Sequence, residues 1–435
     1  MRWLVGSLAI LLLAVMLNLG LMAYAMYALV GAILLSRFLA DRWSANLFAS
    51  RETNRDRVRI GDSVAVVTVI ENRHWLPIPW LLLEDLLPRK ALIHSPPNLQ
   101  LTGRRLQLIS FRGRARKTTT YKITCNCRGY YQLGPLVAET GDVFGLYRRF
   151  RVLTEPSFLT VLPDVIPIQG YNIASRRPIG EVRMSHRLFE DPTRIAGVRG
   201  YQSGDPLNRV HWRATASTGT LHSKIYEPSS VAGATILLDF HEKSFTSQDE
   251  PVRSELAITA AASIAGAICE MGQQVGFITN GRDAADRIRR EGWKHEQLHT
   301  RRAAQAVAMG GENHRLRPLI VPTRRSNIQL RLILETLARV EKSDGLTFAQ
   351  LVHETASRMS RSATVVALLC SVTPETAIAL GGLRRRGMSV TAIVSVYEEH
   401  DFARIAGPLV AERIEVRQLR DRAAISTVCT NYVMR

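Results

Sequence analysis

Acidic residues and cysteines are both scarce in this chain. Its 435 residues include 38 aspartates and glutamates against 57 lysines and arginines, which gives a formal net charge of +19. The five cysteines show no spacing typical of a zinc site, and Cys125 and Cys127 are two apart in a strand-like run, so they point to opposite faces. Cys269 and Cys370 lie in apolar runs and are interpreted as small core residues. This usage suits a reducing cytoplasm.

Several enzyme signatures are also missing. The chain has no P-loop, no Gly-x-Ser-x-Gly and no dinucleotide-binding fingerprint. These absences exclude ATP hydrolysis by a recognisable P-loop mechanism. The sequence therefore predicts no cofactor and no small-molecule substrate.

The excess positive charge falls in four short clusters, at residues 112–117, 148–151, 287–290 and 384–386. None is interleaved with aromatic residues in a recognisable nucleic-acid-binding module, so nucleic acid is not the expected partner. Basic side chains near an anionic inner leaflet gain roughly 1 kcal/mol each. We interpret the charge as that of a protein held at a membrane.

An apolar run opens the chain, from Trp3 to Leu39. As one helix it would measure more than about 50 Å, against a hydrocarbon core of about 30 Å, so one crossing cannot use it all. The break at Asn18-Leu19-Gly20 predicts a transmembrane helical hairpin within residues 1–40, with spans at 4–17 and 21–35. A cleaved signal peptide is the alternative, because Ala23-Tyr24-Ala25 resembles a cleavage site.

The arginines around this run predict its orientation. Arg2, Arg37 and Arg42 lie at the two outer ends of the hairpin, and the positive-inside rule holds them in the cytoplasm. The expected location is therefore the inner membrane, multi-pass, with all later domains facing the cytoplasm. A single uncleaved span would place those domains outside.

Between residues 57 and 163 the pattern is that of β structure. Runs at 64–70 and 117–125 are rich in β-branched side chains and are separated by turns that contain proline and glycine. We predict a small all-β sandwich for this stretch.

From residue 231 to residue 435, strands and helices alternate. The predicted order is a strand at 234–240, a helix at 252–272, a strand at 274–279, helices around 328–341 and 348–359, a strand at 363–370, a helix at 374–386, and strands at 388–396 and 413–419. This alternation predicts a doubly wound, mainly parallel α/β sheet. The functional edge of such a sheet is at the carboxyl ends of its strands, where Asp239 is expected.

The segment at 164–230 is dense in special residues. Asp205 followed by Pro206 predicts a helix start, because aspartate can cap the first amides and proline fits the first helical position. The helix is expected over residues 207–217 and ends at Gly219. Residues 220–226 then alternate in polarity, which predicts a half-buried strand.

This segment resembles the signature of the bacterial membrane-protein family called domain of unknown function 58, Tyr-x-x-Gly-Asp-x-x-Arg-x-Ile-His-Trp. The matching positions are Tyr201, Gly204, Asp205, Arg209, Val210, His211 and Trp212. The family pattern continues with Ser-Ala-Arg-Thr-Gly, and Ser217 replaces its arginine here. These residues are candidates for an interaction site. In the alternative structural interpretation Asp205 caps the helix, Trp212 fills a core position, and Arg209 pairs with a backbone or acidic group.

Three shorter motifs of the β region share the resemblance. They are Glu71-Asn72-Arg73 with Leu76-Pro77-Ile78-Pro79-Trp80, then residues 128–135, and then Asp142-Val143-Phe144-Gly145-Leu146, where the family has proline in place of Val143. We interpret them as turn and corner motifs.

The resemblance also implies a von Willebrand factor A-like fold for residues 231–435. That fold often holds a metal through Asp-x-Ser-x-Ser after its first strand, and here His241 and Lys243 occupy the two hydroxyl positions after Asp239. A lysine ammonium competes with Mg²⁺ for a carboxylate, and Mg²⁺ needs several hard oxygen ligands. We therefore expect a degenerate site at Asp239 and no metal.

Members of the resembling family commonly occur beside MoxR-type AAA+ ATPases. The expected function is a membrane-anchored interaction or scaffold protein that works with such an ATPase in the assembly or maturation of partner proteins. The alternative is an enzyme that uses Asp205, Arg209 and His211 in acid–base chemistry. Positions 205 and 211 do not share a face of the expected helix, so catalysis would need further partners.

Overall fold

The computed structural model describes residues 2–17, 20–93, 96–142, 147–168, 190–202, 210–228, 233–246, 249–291, 316–359 and 363–428. The chain forms two compact units. The first comprises Met1–Asp164, Arg282–Arg315 and Leu334–Glu341, and the second comprises Val165–Gly281, Leu316–Ile333 and Lys342–Arg435. The division into residues 1–40, 57–163, 164–230 and 231–435 stays a prediction.

Two apolar helices in mutual contact begin the chain, α1 at Arg2–Met16 and α2 at Gly20–Ala45. Helix α2 has 26 residues, or about 39 Å. It is longer than the expected span because its last turns pack on the β structure, where Ala40 and Trp43 are buried. The two helices confirm an apolar helical N-terminus, and that both cross a membrane stays a prediction.

Among the described residues, two helices are long and apolar enough to cross a membrane, Gly20–Ala45 and Val252–Glu270. Only 11% of the most apolar stretch of Gly20–Ala45 is buried, against 78% for Val252–Glu270. Burial of that extent is typical of a core helix in a folded domain. Gly20–Ala45 is therefore the candidate for a membrane span.

Eleven strands follow between residues 47 and 162, with a short helix α3 at Arg89–Ile93. They are β1 Leu47–Thr53, β2 Arg57–Arg59, β3 Ser63–Asn72, β4 Ile78–Asp85, β5 Leu99–Thr102, β6 Leu106–Phe111, β7 Arg116–Cys125, β8 Gly129–Leu133, β9 Leu136–Gly141, β10 Arg148–Val152 and β11 Ser157–Leu162. The predicted strands at 64–70 and 117–125 lie within β3 and β7.

These strands form three sheets, in the orders β1-β3-β7-β5, β10-β9-β4-β6 and β2-β11-β8. Every second residue of β3 is buried, as its period of two requires. On that face Val64 and Val66 join a core with β8 and β11, and Ile70 joins a core with β4 and β9. The first sheet is therefore covered by the other two, which confirms an all-β sandwich.

The second unit contains a two-stranded antiparallel hairpin, formed by β12 at Glu190–Gly200 and β13 at His222–Pro228. Helix α4, Trp212–Thr218, lies between them in the chain and contacts β13. The expected strand at 220–226 is thus found, shifted by two residues.

A six-stranded sheet forms the rest of the second unit, in the order β17-β15-β14-β19-β20-β21. Its strands are β14 Gly233–Leu238, β15 Gln274–Thr279, β17 Leu319–Arg324, β19 Ala363–Leu369, β20 Val390–Ser395 and β21 Glu415–Leu419. All neighbours are parallel except β17, which is antiparallel to β15. The sequence pattern does not predict β17, because Pro322 interrupts it and proline is tolerated only at a sheet edge.

Helices cover both faces of this sheet. They are α5 Val252–Glu270, α8 Phe348–Thr355, α9 Pro374–Arg385 and α10 Glu399–Ala411. Leu237 of β14 belongs to the core formed with α8, α9 and α10, and α5 contacts β14, β15 and β19. The predicted doubly wound α/β arrangement is confirmed.

The remaining elements belong partly to the first unit. They are β16 Arg282–Asp283, α6 Ala284–Glu291, α7 Gln329–Arg339 and β18 Val340–Glu341. Strands β16 and β18 pair antiparallel. Arg128 of the first unit donates hydrogen bonds to the carbonyl oxygens of Leu337 at 2.9 Å and Val340 at 2.9 Å, which caps the carboxyl end of α7.

Candidate functional site

The signature segment folds around a histidine cap. Val210 forms an isolated antiparallel bridge with Ser223 of β13. His211 follows it, and its Nδ1 accepts a hydrogen bond from the backbone amide of Ala214 at 3.0 Å. Helix α4 then runs to Gly219, whose φ of 72° allows its amide to bond to the Thr215 carbonyl at 3.0 Å. His211 is thus the N-cap of the motif helix.

The expected helix at 207–217 with Asp205 as its cap is wrong in its start. Val210 is extended and paired to β13, so the helix cannot pass through it and begins at Trp212. Gly204, Asp205 and Arg209 lie outside the described residues. Of the three residues in the enzyme hypothesis, only His211 is described, and its Nδ1 is engaged in the cap.

Trp212 does not fill a core position. Its side chain is 69% exposed at the first position of α4. Val198 of β12 and Leu221, which precedes β13, are also exposed, and the amide of Tyr201 donates to the Leu221 carbonyl at 2.8 Å. We call the group Val198, Tyr201, Trp212 and Leu221 the motif surface. Its apolar side chains lie on one small, hydrogen-bonded scaffold.

Hydroxyl side chains hold α4 on β13. Thr215 Oγ1 accepts from the backbone amide of His222 at 3.1 Å, and Thr218 Oγ1 lies 3.1 Å from His222 Nδ1. Ser217, which replaces the family arginine, donates to the Ala214 carbonyl at 2.9 Å. The Ser217 hydroxyl is therefore bonded to the backbone within α4.

The motif around Asn72 is a corner, as interpreted from the sequence, whereas residues 143–146 of the last β-region motif lie outside the described residues. The Asn72 side-chain amide donates to the carbonyls of Leu76 at 2.9 Å and Arg112 at 3.2 Å, and its Oδ1 accepts from the His74 amide at 3.1 Å. Asp142 accepts from the amide of Tyr147 at 2.8 Å. Asn72 thus closes the turn after β3, and Asp142 bonds to the residue that precedes β10.

Gly134 shows why the motif at residues 128–135 contains a glycine. It has a φ of +81°, and a β-carbon there would lie 1.8 Å from Nη1 of Arg51. Arg51 forms a buried ion pair with Asp85 at 2.9 Å, and Tyr121 donates to the other Asp85 oxygen at 2.7 Å. Burial raises the pKa of Asp85, and the neighbouring Arg51 opposes that shift. The motif glycine makes room for a buried guanidinium.

At the carboxyl edge of the α/β sheet, Asp239 follows β14 and is 2% exposed. One carboxylate oxygen accepts from Ser244 Oγ at 2.6 Å, and the other accepts from Asn280 Nδ2 at 2.9 Å and from the His241 amide at 3.2 Å. Burial raises the pKa of Asp239, and the bonds from Ser244 and Asn280 oppose the shift. The carboxylate is thus engaged by protein donors.

Sequence reasoning misses Ser244 and Asn280. Ser244 lies one position beyond the Asp-x-Ser-x-Ser pattern, and Asn280 follows a different strand, β15. One general rule could have indicated Asn280. Neighbouring parallel strands end at the same edge of a sheet, so the residues that follow β14 and β15 lie close together. Within the described ranges, no group of three or more His, Cys, Asp or Glu side chains could hold a metal ion.

The α/β unit contains a second buried polar group. Arg253 of α5 is 4% exposed, its guanidinium carbon lies 3.2 Å from the centroid of the Tyr397 ring, and it donates to Ser395 Oγ at 3.1 Å. Burial raises the pKa of Cys370 to about 12, and the Asp239 carboxylate acts in the same direction. The thiol therefore stays protonated at neutral pH and is a poor nucleophile.

The geometry defines a chain with an N-terminal apolar helix, a β-sandwich and an α/β unit that carries an exposed aromatic motif. Residues 197–368 match the sequence model of the family described as protein of unknown function DUF58. The match includes the described residues of the motif surface from Val198 onward.

A curated relative is the uncharacterized protein YeaD of Bacillus subtilis (strain 168). It is 24% identical over 259 residues, which is 59% of this chain and 62% of the relative. This chain thus spans about six tenths of the relative's length. The likeness supports a distant relationship.

Solved structures show only weak likeness. The CARDB domain of the PF1109 protein from Pyrococcus furiosus is 14% identical, with 26% of this chain and 91% of that chain covered and a TM-score of 0.17. Proximal thread matrix protein 1 from the mussel byssus is 10% identical, with 45% and 46% covered and a TM-score of 0.29. Both scores are below 0.5, so neither structure defines the fold.

Proposed function

We propose that this chain is a membrane-anchored protein-interaction or scaffold protein that binds its partner through the motif surface. The observation that carries the proposal is the 69% exposure of Trp212 at the start of a capped helix. Exposed tryptophan beside other exposed apolar side chains is typical of protein-binding sites, where tryptophan contributes much of the binding energy.

Helix α2 supports the membrane anchor. Its first two thirds expose large apolar side chains, among them Leu21, Tyr24 and Leu35. Its last turns bury Trp43 in a sandwich core that includes Leu47 and Ile70. A helix whose first part is exposed and apolar and whose last turns are packed on the β-sandwich would hold the sandwich close to a bilayer. In the proposed topology α1 and α2 both cross the inner membrane and the later units face the cytoplasm, as the flanking arginines predict.

For the α/β unit we propose a von Willebrand factor A-like fold. Its support is the sheet itself, whose central strand β14 is followed by Asp239, and the resemblance of the motif sequence. At the carboxyl edge of that sheet, Ser244, Asn280 and the His241 amide bond to both oxygens of Asp239, which supports a structural role for this residue. Partner binding is then the task of the motif surface.

The proposed partner is a MoxR-type AAA+ ATPase, acting with this chain in the assembly or maturation of other proteins. Its support is the family resemblance of the motif. The chain contains no P-loop of its own, so ATP-driven work would have to come from a second protein.

A pull-down from solubilised membranes tests this function. The full chain and its Trp212→Ala variant are compared, with Trp75→Ala as a matched control, because Trp75 is similarly exposed at 67% in the other unit. We expect a MoxR-type ATPase to be recovered with the wild type and the control and lost with Trp212→Ala. Equal recovery with all three would refute the motif surface as the binding site.

A further inference from the structure

One end of the β-sandwich surrounds the end of α2. Arg151 Nη1 donates to the carbonyls of Ser44 and Ala45, each at 2.7 Å, and thereby caps the helix. Arg149 pairs with Asp41. The backbone amide of Arg73 donates to the Asn46 carbonyl at 3.1 Å. The sandwich is therefore fixed beside the last turns of the helix.

Two further turns lie at the same end. Asn72 binds the carbonyl of Arg112, and the amide of Arg114 donates to the His74 carbonyl at 2.8 Å. Trp75, between them, stacks on His74 and is 67% exposed. Turns from separate strand pairs thus present arginine and tryptophan side by side.

Aromatic rings and arginines alternate around this end. The Arg73 guanidinium lies 4.1 Å from the centroid of the Phe48 ring, the Arg151 guanidinium lies 5.7 Å from the same ring, and Arg42 lies 5.2 Å from the Phe38 ring. We call the set the collar, and its members are Phe38, Arg42, Phe48, Arg73, Trp75, Arg112, Arg114 and Arg151.

The collar has more positive charge than its carboxylates can balance. Glu71 pairs with Arg73 at 3.8 Å and Asp41 pairs with Arg149. Within the described ranges, neither Arg112 nor Arg114 takes part in an ion pair, and both are exposed. Two exposed arginines on a turn that is bonded to the turn of Trp75 are complementary to a surface that is anionic and has an apolar interior.

We propose that the collar rests on the anionic phospholipid headgroups of the membrane that α2 crosses. This inference relies on the proposed membrane anchor. Arg37 is the first charged residue after the apolar part of α2, and the helix from Arg37 to Ala45 is only about 13 Å long, so the collar lies at headgroup depth. Tryptophan is enriched at this depth, and arginine gains energy beside anionic lipid.

Trp75 fluorescence tests the proposal in the full chain. The chain is reconstituted in nanodiscs of phosphatidylcholine alone or mixed with phosphatidylglycerol, each with a headgroup-labelled quenching lipid, and the signal of Trp75→Phe is subtracted. We expect quenching of Trp75 in the anionic nanodiscs. Arg112→Gln/Arg114→Gln should weaken it, since each arginine shifts the ratio of docked to undocked collar about fivefold.

The control is Arg358→Gln/Arg386→Gln, which removes the same charge from exposed positions of the other unit. It should leave the quenching unchanged. If the chain incorporates into both nanodiscs and Trp75 is quenched equally in both lipids, the proposed binding of the collar to anionic lipid is overturned. The same holds if only added nucleic acid protects Trp75 from quenching. Neither result would affect the proposed membrane anchor. A chain that fails to incorporate into either nanodisc would overturn the membrane anchor, and the collar with it.

Discussion

Gly134 occupies a position in the β-sandwich where a β-carbon has no room. A residue with a β-carbon would be destabilising at this position for two reasons. The φ angle is positive at 81°, and the β-carbon would overlap with Arg51. Gly61 provides a matched control, because its φ is +90° and nothing lies within 4 Å of a β-carbon. The pair separates backbone strain from steric displacement.

We predict that Gly61→Ala lowers the free energy of unfolding by about 1 kcal/mol, the cost of a left-handed backbone for alanine. Gly134→Ala should cost at least about 3 kcal/mol, because a displaced Arg51 leaves Asp85 buried without its cation. Urea unfolding of the full chain in detergent measures both. Equal losses would show that Arg51 moves aside freely.

The Asp239 carboxyl makes stability depend on pH. Burial raises its folded pKa above the ordinary value of 3.8. The stability it contributes is therefore fully present below pH 3.8 and is lost as the pH rises through the folded pKa. Asp239→Asn removes the titration, so the unfolding free energy of the wild type should fall relative to the variant as the pH rises from 3.8. A constant difference across that range would contradict the buried, titrating carboxyl.

The contacts of Asp239 also show a limit of sequence reasoning. Asp239 could be placed at the end of a strand from its apolar run, because a local pattern determines a strand end. The hydrogen bonds of Asp239 with Ser244 and Asn280 could not be predicted in this way. Asn280 is 41 positions away and meets Asp239 only because β14 pairs with β15. The exposure of Trp212 could not be predicted either, because the helix expected at residues 207–217 begins at Trp212 instead.

Among the elements, α4 is held by a side chain that few helices use. Histidine can cap a helix only through an unprotonated ring nitrogen, which His211 supplies to Ala214. We predict that His211→Ala destabilises the helix by about 1 kcal/mol, whereas His211→Asn keeps most of the stability, because asparagine is a preferred cap. Hydrogen exchange of the amides of Trp212–Thr218 measures this. Equal protection in both variants would contradict the cap.

The start of α4 was missed for a physical reason. Asp205-Pro206 is a strong local signal for a helix, yet Val210 satisfies its backbone by pairing with Ser223 of β13. This long-range pairing thus outweighs the local helix propensity, and the helix begins only at Trp212. The long strands β3 and β7 had no such competitor, so their period of two was enough to predict them.

Helix α2 should lose its membrane affinity when its apolar stretch is charged. Leu29 is an exposed residue in the middle of that stretch, and an arginine at the centre of a span costs roughly 3 kcal/mol. We predict that Leu29→Arg moves the chain from the carbonate-resistant membrane fraction towards the soluble fraction. Leu108→Arg, at a residue 69% exposed on β6, is the control and should stay in the membrane fraction. Identical fractionation of both variants would argue against α2 as the anchor.

At the scale of the whole molecule, the two units have separate proposed roles. The first holds the apolar helix and the collar, and the second presents the motif surface. Because these groups share no residues, a change in one should leave the task of the other intact. Trp75→Ala is therefore expected to alter lipid contact and to leave partner binding intact. Trp212→Ala is expected to abolish partner binding and to leave lipid contact intact.

The most direct test of partner binding is photocrosslinking from position 212 in intact membranes. A photoreactive phenylalanine analogue replaces Trp212, and the same analogue at position 75 serves as the control. We predict a crosslink from position 212 to a MoxR-type ATPase, and from position 75 to lipid. A position 212 that crosslinks to lipid alone, or to no protein, would contradict the claim that this chain binds its partner through the motif surface.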